Sequence, residues 1–493
     1  MRELADILAI EFKAGEFPRY HMNWRPDNPE EEVLSICSSL ISIVDIDGSR
    51  VVRFSHFSVK EYLTSERLAN SEKDLSRYHI LHHSAHAILA KASLSVLLAL
   101  DDQADKDSMK NFPLAMYAAR YWVDHAQLLS VSSIIEDGLE RLFDPEKPFF
   151  ATWVWIHDID YPFRETMIAP RPLPPEGTPL YYATLCGFRD LVEHLIVSHP
   201  WDINTRGGYH FTPLHAAVVK GDVGIVALLL EHGAAVAALN KDQFDPLYEA
   251  SRRGCVDVIE LLLDHHADVD SRTAFGRTPL SRASLHGELE IARVLLWHGA
   301  AVDSRDKYGW TPLMLASRHG HADVVRFLLQ NGAISEACDN GGWTPLMVAS
   351  YHGQLDVIHL LLESGVTVDS RDNNGWTSLV LASKNGHVDV VSLLLEHGAT
   401  VDSRGDNGWN SLMIASRDGR LDVARLLLEN GATVDSRENN GQTSLVIASQ
   451  NGHLDVVRLL LENGAAVAPH HKDGQIPSSG KLRYLLSSCA PVP

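Results

Sequence analysis

The chain has 493 residues, of which 45% are apolar and 22% are charged. A single compact core rarely extends over so many residues, so we expect several domains or one extended array. The 64 acidic residues outnumber the 43 lysines and arginines, which gives a formal net charge of −21. A field of this sign repels nucleic acid and anionic membranes, so we expect neither as a partner.

Neither a membrane span nor a secretion signal is indicated by the sequence. It contains no run of about 18 apolar residues, and "MRELADILAIEFKAGEF" lacks the charged-then-apolar order of a signal peptide. The five cysteines lie far apart and form no C-x-x-C pair, which argues against a zinc ribbon or a redox motif. We therefore expect a cytoplasmic protein, and a nuclear location stays open.

The first 68 residues contain a predicted hairpin between two helices. The stretch "EEEVLSICSSLISIVDIDGSRVVRFSHFSVKEYLTSERLA" predicts helix, strand, a turn at Asp47 and Gly48, strand and helix. This order resembles the end of a winged-helix fold. Many winged helices bind DNA, but this stretch is not basic, so a DNA-associated regulator is the less favoured alternative.

Residues 69–165 predict a helical connector. The strings "SRYHILHHSAHAILAKASLSVLLAL" and "NFPLAMYAARYWVDHAQLL" have the apolar spacing of amphipathic helices. His79, His82, His83 and His86 fall on one side of the first helix. No carboxylate or cysteine completes a motif such as H-E-x-x-H, so we expect no metal.

From residue 174 onward the sequence repeats itself nine times. After one step of 34 residues, every step is 33 residues, and a glycine nine positions further on keeps the same phase from Gly187 to Gly452. We expect nine to ten repeats over residues 174–475 and a terminal cap over residues 476–493. Repeats 1 to 9 begin with T-P-L or a degraded copy of it at Thr178, Thr212, Asp245, Thr278, Thr311, Thr344, Thr377, Asn410 and Thr443.

Each repeat predicts two short helices followed by an extended finger. In repeat 5, Thr311 is suited to cap the first helix, and Pro312 occupies the first helical position, where an N–H group is not needed. Gly320 supplies the left-handed residue that ends this helix, and Gly332 ends the second one. Helices of eight to ten residues are unstable alone, so they must stack on their neighbours.

These features resemble the ankyrin repeat: the T-P-L start, the glycine between the helices, the V-x-x-L-L run and the G-A-x-V-D segment. The resemblance implies a mainly α solenoid with projecting hairpin fingers, and a noncatalytic scaffold that binds a protein ligand on its concave face. Three positions depart from the pattern. The family's histidine after T-P-L survives only as His215, and His266 and Gln243 replace glycines. His266 is therefore predicted in a left-handed conformation, at a cost of about 1 kcal/mol.

The two residues before the inter-helix glycine vary, while the surrounding sequence of repeats 5 to 9 hardly changes. Such variation on a fixed frame is typical of diversified recognition, although drift at exposed positions would produce the same pattern. We predict a partner-binding role for this column. Its predicted members are Arg252, Arg253, His286, Arg318, His319, Tyr351, His352, Lys384, Asn385, Arg417 and Asp418.

A second column immediately precedes the T-P-L position. Its tryptophans are Trp310, Trp343, Trp376 and Trp409. If they are exposed, they provide an aromatic ladder for a partner, since tryptophan is frequent at binding hot spots. The alternative is that each ring packs on its own array and stiffens it, and their constancy favours packing. A third column consists of the arginines of "DSR", which are followed by acidic residues such as Asp306 and Asp372. This alternation predicts a row of solvent-exposed ion pairs between adjacent fingers, here called a charge ladder.

The strings "RFSHFSVKEYLTS" and "PLAMYAARYWVDHA" are similar to the region that follows the NACHT nucleotide-switch domain in fungal NLR-like proteins. In that family the ankyrin repeats sense a ligand and control a nucleotide-driven oligomerisation. The sequence contains no G-x-x-x-x-G-K-[ST] phosphate loop, and "GQIPSSGKL" has the wrong spacing. The resemblance therefore implies the sensor part of such a protein without its ATPase, and a free-standing cytosolic adaptor is the alternative.

No arrangement typical of an enzyme is present. The sequence has no G-x-S-x-G motif and no cysteine–histidine pair in the context of a nucleophile. We therefore expect no catalytic residue and no cofactor. The oligomeric state and the identity of the partner stay undetermined at this stage.

Overall fold

The computed structural model describes residues 10–11, 19–20, 41–46, 49–54, 82–100, 105, 109, 113–127, 134–161 and 174–467. These residues form 22 α-helices and four short strands, so the predicted mainly helical class is confirmed. The chain divides into two compact units, residues 1–246 and residues 247–493. The domain boundaries predicted from the sequence stay predictions.

Four strands lie near the N-terminus and form two antiparallel pairs. β1 (Ile10–Glu11) pairs with β2 (Arg19–Tyr20), and β3 (Ile41–Ile46) pairs with β4 (Ser49–Phe54). The β3–β4 pair confirms the hairpin predicted around Asp47 and Gly48. The helices expected on either side of it lie outside the described residues, so the winged-helix interpretation stays a prediction. The β1–β2 pair was not predicted.

Four helices follow. They are α1 (His82–Leu97), α2 (Pro113–Ala126), α3 (Glu136–Leu142) and α4 (Phe149–Ile156). α1 and α2 confirm that the two predicted strings are helical, whereas α3 and α4 were not predicted. The amphipathic character predicted for α1 is not borne out, because residues 92–97 are all buried.

An aromatic core joins these helices to the first repeat. Trp122 and Trp153 are fully buried, and their rings meet edge to face at 5.2 Å. The Trp122 ring stacks on Phe188 at 5.5 Å, and the Trp153 ring contacts Tyr182 at 5.9 Å. Because Tyr182 and Phe188 belong to repeat 1, the connector helices cover the N-terminal end of the array and bury apolar surface that would otherwise face water.

Nine helix pairs make up the repeats. The first helix of each pair begins directly after the T-P-L threonine or its replacement, as the sequence predicted. The pairs are α5 (Pro179–Cys186) and α6 (Arg189–Ser198), α7 (Pro213–Lys220) and α8 (Val223–Glu231), α9 (Pro246–Arg253) and α10 (Val256–Asp264), α11 (Pro279–His286) and α12 (Leu289–Trp297), α13 (Pro312–His319) and α14 (Ala322–Gln330), α15 (Pro345–His352) and α16 (Leu355–Glu363), α17 (Ser378–Asn385) and α18 (Val388–Glu396), α19 (Ser411–Arg417) and α20 (Leu421–Glu429), and α21 (Ser444–Asn451) and α22 (Leu454–Glu462). A short 3₁₀ helix, Pro200–Asn204, follows α6.

The predicted helix ends are present. Thr311 accepts a hydrogen bond from the Met314 N–H through its hydroxyl, and Gly320 ends α13 with a φ of 77°. His266 has a φ of 65°, which confirms the left-handed conformation predicted for it. Gln243, with a φ of 62°, is left-handed as well. Both residues adopt a backbone geometry that favours glycine, so each position is strained by about 1 kcal/mol.

The fingers are linked to one another through the main chain. Each finger closes on itself, as between the Asp306 N–H and the Trp310 carbonyl at 3.0 Å. Between fingers, the N–H of Lys307 donates to the carbonyl of Phe275 at 3.0 Å. The expectation of a charge ladder along the "DSR" arginines is wrong, because these side chains donate to main-chain carbonyls instead: Arg305 Nη1 lies 2.7 Å from the Cys338 oxygen in the next finger.

Candidate functional site

The variable pairs occupy the accessible ends of otherwise buried helices. In α13, residues 312–317 are all buried, whereas Arg318 and His319 are exposed. The same boundary is found in the next three repeats, where residues 345–350, 378–383 and 411–416 are buried and the pair that follows each is half-buried. The residues that change from repeat to repeat are therefore those that solvent or a partner can reach.

The tryptophan column and the variable column are in contact. Each tryptophan directly precedes the T-P-L position of a repeat and is counted with that repeat. In repeats 5 to 8 it lies against the residue eight positions later. The Arg318 guanidinium lies 5.6 Å from the centre of the Trp310 ring, and the Lys384 ammonium lies 5.3 Å from the Trp376 ring. We call these four pairs the ridge: Trp310 with Arg318, Trp343 with Tyr351, Trp376 with Lys384, and Trp409 with Arg417.

The ridge continues from one repeat to the next. Lys384 of repeat 7 also lies 5.9 Å from the centre of the Tyr351 ring of repeat 6. Burial, and next the positive charge of Arg318 in repeat 5, lower the pKa of His352 in repeat 6. All four tryptophans are half-buried, so each side chain packs against its repeat and is also partly accessible to solvent. The two roles considered for this column are therefore compatible.

The remaining predicted residues are placed differently. His286 is exposed at the end of α11. Arg252 and Arg253 hold the buried carboxylate of Glu249, at 2.7 Å and 3.0 Å. Burial alone would raise the pKa of Glu249, but the hydrogen bonds from these two arginines hold it below its usual range. Much of the charge of this pair is therefore already neutralised within the chain.

Two further members of the variable column make local hydrogen bonds. Asp418 accepts from Arg417 Nε at 2.7 Å. Asn385 donates to the carbonyl of Tyr351 at 2.6 Å.

Sequence reasoning missed a column of side chains that fixes the ridge. The residue directly after the inter-helix glycine donates to the carbonyl of the variable residue one repeat earlier. Gln354 donates to the Arg318 oxygen at 3.1 Å, and His453 Nε2 lies 2.9 Å from the Arg417 oxygen. We call these residues the pins: His321, Gln354, His387, Arg420 and His453. Their signal in the sequence is a polar residue at this position in every one of these repeats.

The described residues also limit other kinds of site. Within them, no three histidine, cysteine or acidic side chains are grouped as a metal ion would require. None of the helices in these segments combines the length and apolarity needed to cross a membrane.

Comparisons with known proteins agree with the geometry. A family model described as ankyrin repeats (3 copies) matches residues 180–273, 265–336, 280–372, 334–405, 364–438 and 400–471. The chain is 30% identical over 256 residues to the azaphilone pigments biosynthesis cluster protein L of Monascus ruber. The aligned region covers 48% of this chain and 52% of that protein. It is 42% identical over 60 residues to alpha-latrocrustotoxin-Lt1a of Latrodectus tredecimguttatus, covering 12% of this chain and 4% of the toxin.

The chain thus spans about half the length of the first relative, at 52%, and a small part of the second, at 4%. The matches to the family model extend over more than half of the chain, between residues 180 and 471 of 493, with paired helices and left-handed glycines in the same phase. The chain belongs to the ankyrin repeat family.

Proposed function

We propose that this chain is a noncatalytic scaffold that binds another protein through the ridge, and that the ends of the first helices form the concave face of the array. The observation that carries this proposal is the sharp boundary in repeats 5 to 8 between buried, nearly constant residues and the accessible variable pair. Ankyrin repeats are protein–protein interaction modules, and the ridge offers the half-buried aromatic and arginine side chains that commonly dominate binding energy.

Pre-organisation supports the same function. Arg318, Lys384 and Arg417 are held on tryptophan rings at 5.6, 5.3 and 5.4 Å, so their side chains lose little freedom when a partner binds. The pins hold the main chain beneath these residues. A rigid surface of this kind selects partners by shape and charge rather than by folding around them.

We further propose that the chain is the ligand-sensing part of a fungal NLR-like signalling protein. This rests on the strings "RFSHFSVKEYLTS" and "PLAMYAARYWVDHA" and agrees with the similarity to a protein of Monascus ruber. The genomic DNA upstream of the Met1 codon tests the idea. An in-frame phosphate-loop motif there would support it, whereas a stop codon directly upstream would favour the free-standing adaptor.

Binding through the ridge is tested by comparing two sets of alanine variants in the same repeats. The ridge set replaces Arg318, Tyr351, Lys384 and Arg417 with alanine. The control set replaces the residues at a common position of the second helices: Arg326, His359, Ser392 and Arg425.

Peptides selected on the wild-type chain from a displayed fungal proteome library are titrated against both variants. We expect the ridge variant to lose their binding and the control variant to keep it. Circular dichroism should show the same helical content in both, because surface substitutions usually change stability by only about 0.5 kcal/mol each. Equal binding by the two variants would show that the ridge is not the recognition surface.

A further inference from the structure

Taken together, the first helices of repeats 3 to 9 carry a net positive charge and the second helices a net negative charge. The first helices between residues 246 and 451 contain six arginines and lysines and one acid, Glu249, whereas the second helices between residues 256 and 462 contain four arginines and thirteen acids. Because the whole chain has a net charge of −21, the basic first helices are a local exception. Summed over these repeats, the charge therefore attracts a negatively charged ligand to the surface of the first helices and repels it from that of the second helices.

Two cations of the ridge keep their charge available to a ligand. Within the part of the chain that the structure describes, neither Arg318 nor Lys384 lies within 4.0 Å of a carboxylate oxygen. Each rests on a tryptophan ring instead, and a ring attracts a cation without neutralising it. Arg417 differs, because Asp418 binds its guanidinium at 2.7 Å.

Uncharged aromatic surface lies between these two cations. Trp343 and Tyr351 of repeat 6 meet edge to face at 5.3 Å, and Lys384 reaches the Tyr351 ring at 5.9 Å from the next repeat. Repeat 6 therefore replaces the cation of its neighbours with a phenol ring. From repeat 5 to repeat 7 the ridge presents cation, aromatic pair and cation in that order.

We infer that the ridge binds an acidic protein segment in which carboxylates flank an apolar side chain. The carboxylates pair with Arg318 and Lys384, and the apolar side chain packs on Trp343 and Tyr351. The inference rests on the proposed function, since it names the class of partner for the same surface. A protein segment suits this order better than a nucleic acid, because its charge alternates with apolar groups and because the rest of the molecule repels a continuous polyanion.

The probe for this inference is a fluorescein-labelled peptide in which a central leucine is flanked by glutamates, measured by fluorescence anisotropy. The wild-type chain should bind it, and the affinity should fall as salt is added. Arg318→Glu/Lys384→Glu should weaken binding by about tenfold or more, since each reversal places like charges together. Arg326→Glu/Arg458→Glu changes the net charge equally on exposed second-helix positions, and should leave the affinity within about twofold.

Two altered probes separate the parts of the inference. Exchanging the glutamates for glutamine should abolish binding, and exchanging the leucine for glycine should weaken it. Absence of binding to the wild-type chain, or equal losses in the two double variants, would overturn the inference. So would binding of an oligothymidylate in place of the peptide. If library-selected peptides depend on the ridge but lack acidic residues, the proposed function stands and only this inference fails.

Discussion

Alanine at the two glycines of repeat 4 should have different costs, although both glycines are left-handed. Gly287, between α11 and α12, has a φ of 75°, and Gly299, after α12, has a φ of 86°. A Cβ atom on Gly287 would lie 2.5 Å from Nδ1 and 2.8 Å from Cγ of His321, the pin of the next repeat. A Cβ atom on Gly299 would meet no atom within 4 Å.

The expected difference follows from the displaced pin. Both substitutions force alanine into a left-handed conformation, which costs about 1 kcal/mol in each case. Only Gly287→Ala must also move the His321 ring, whose Nε2 donates to the Leu285 carbonyl at 3.2 Å. Losing this hydrogen bond costs about 0.5 to 1.5 kcal/mol. Gly287→Ala should therefore lower the free energy of unfolding by about 1 kcal/mol more than Gly299→Ala.

Urea unfolding followed by circular dichroism measures both costs, and His321→Ala completes a double-mutant cycle. In the His321→Ala background, Gly287→Ala should cost no more than Gly299→Ala, because the ring that it displaces is gone. Equal costs in the wild-type background would refute the contact between repeats. Strict additivity in the cycle would show that the two residues do not interact.

Three further predictions concern other parts of the molecule. His266→Gly should stabilise the chain by about 1 kcal/mol by removing the strain of its φ of 65°, as thermal unfolding would show. Tyr181→Phe removes the hydroxyl that donates to the buried Asp160 at 2.7 Å and should cost about 1 to 3 kcal/mol, more than Tyr182→Phe, whose hydroxyl donates to the less buried Asp158. Burial first, and then the positive charge of Arg318, lower the pKa of His352 from its usual value of 6.5. The neutral imidazole therefore contributes fully to stability above pH 6.5, and this contribution is lost as the pH falls toward the folded-state pKa. His352→Gln should therefore flatten the dependence of the unfolding free energy on pH in that range.

Much of the fold could be predicted because its determinants are local and repeat in phase. The threonine caps, the left-handed glycines and the apolar stripes act within one repeat. Once the structure of one repeat has been predicted, the same prediction applies to the others. α3 (Glu136–Leu142) and α4 (Phe149–Ile156) were missed because they do not belong to the period. α4 is apolar on nearly every side, with buried Phe150, Trp153 and Ile156, and therefore lacks the amphipathic pattern that marks a surface helix.

The candidate site could be predicted only in part. The variable column was identified from the sequence because its residues change while their neighbours do not. Its contact with the tryptophans was not predicted, because each tryptophan lies before its helix begins, where the helical period does not determine the direction of a side chain. The "DSR" arginines and the pins were misread or missed for one shared reason. Their acceptors are main-chain carbonyls, which every residue possesses and which no sequence pattern marks.

Because the acceptors of the pins are main-chain carbonyls, the side chains of the ridge can vary without disturbing the stacking of the repeats. Each pin binds the carbonyl of the variable residue, not its side chain, so the bond is the same whether that residue is Arg318, Tyr351 or Lys384. Histidine, glutamine and arginine can all serve as the pin, because each supplies one N–H donor at this position. Under the proposed function, a ridge residue uses its side chain for recognition and its main-chain carbonyl for stacking. A substitution on the ridge should accordingly change the partner more than the stability, whereas a substitution of a pin should do the reverse.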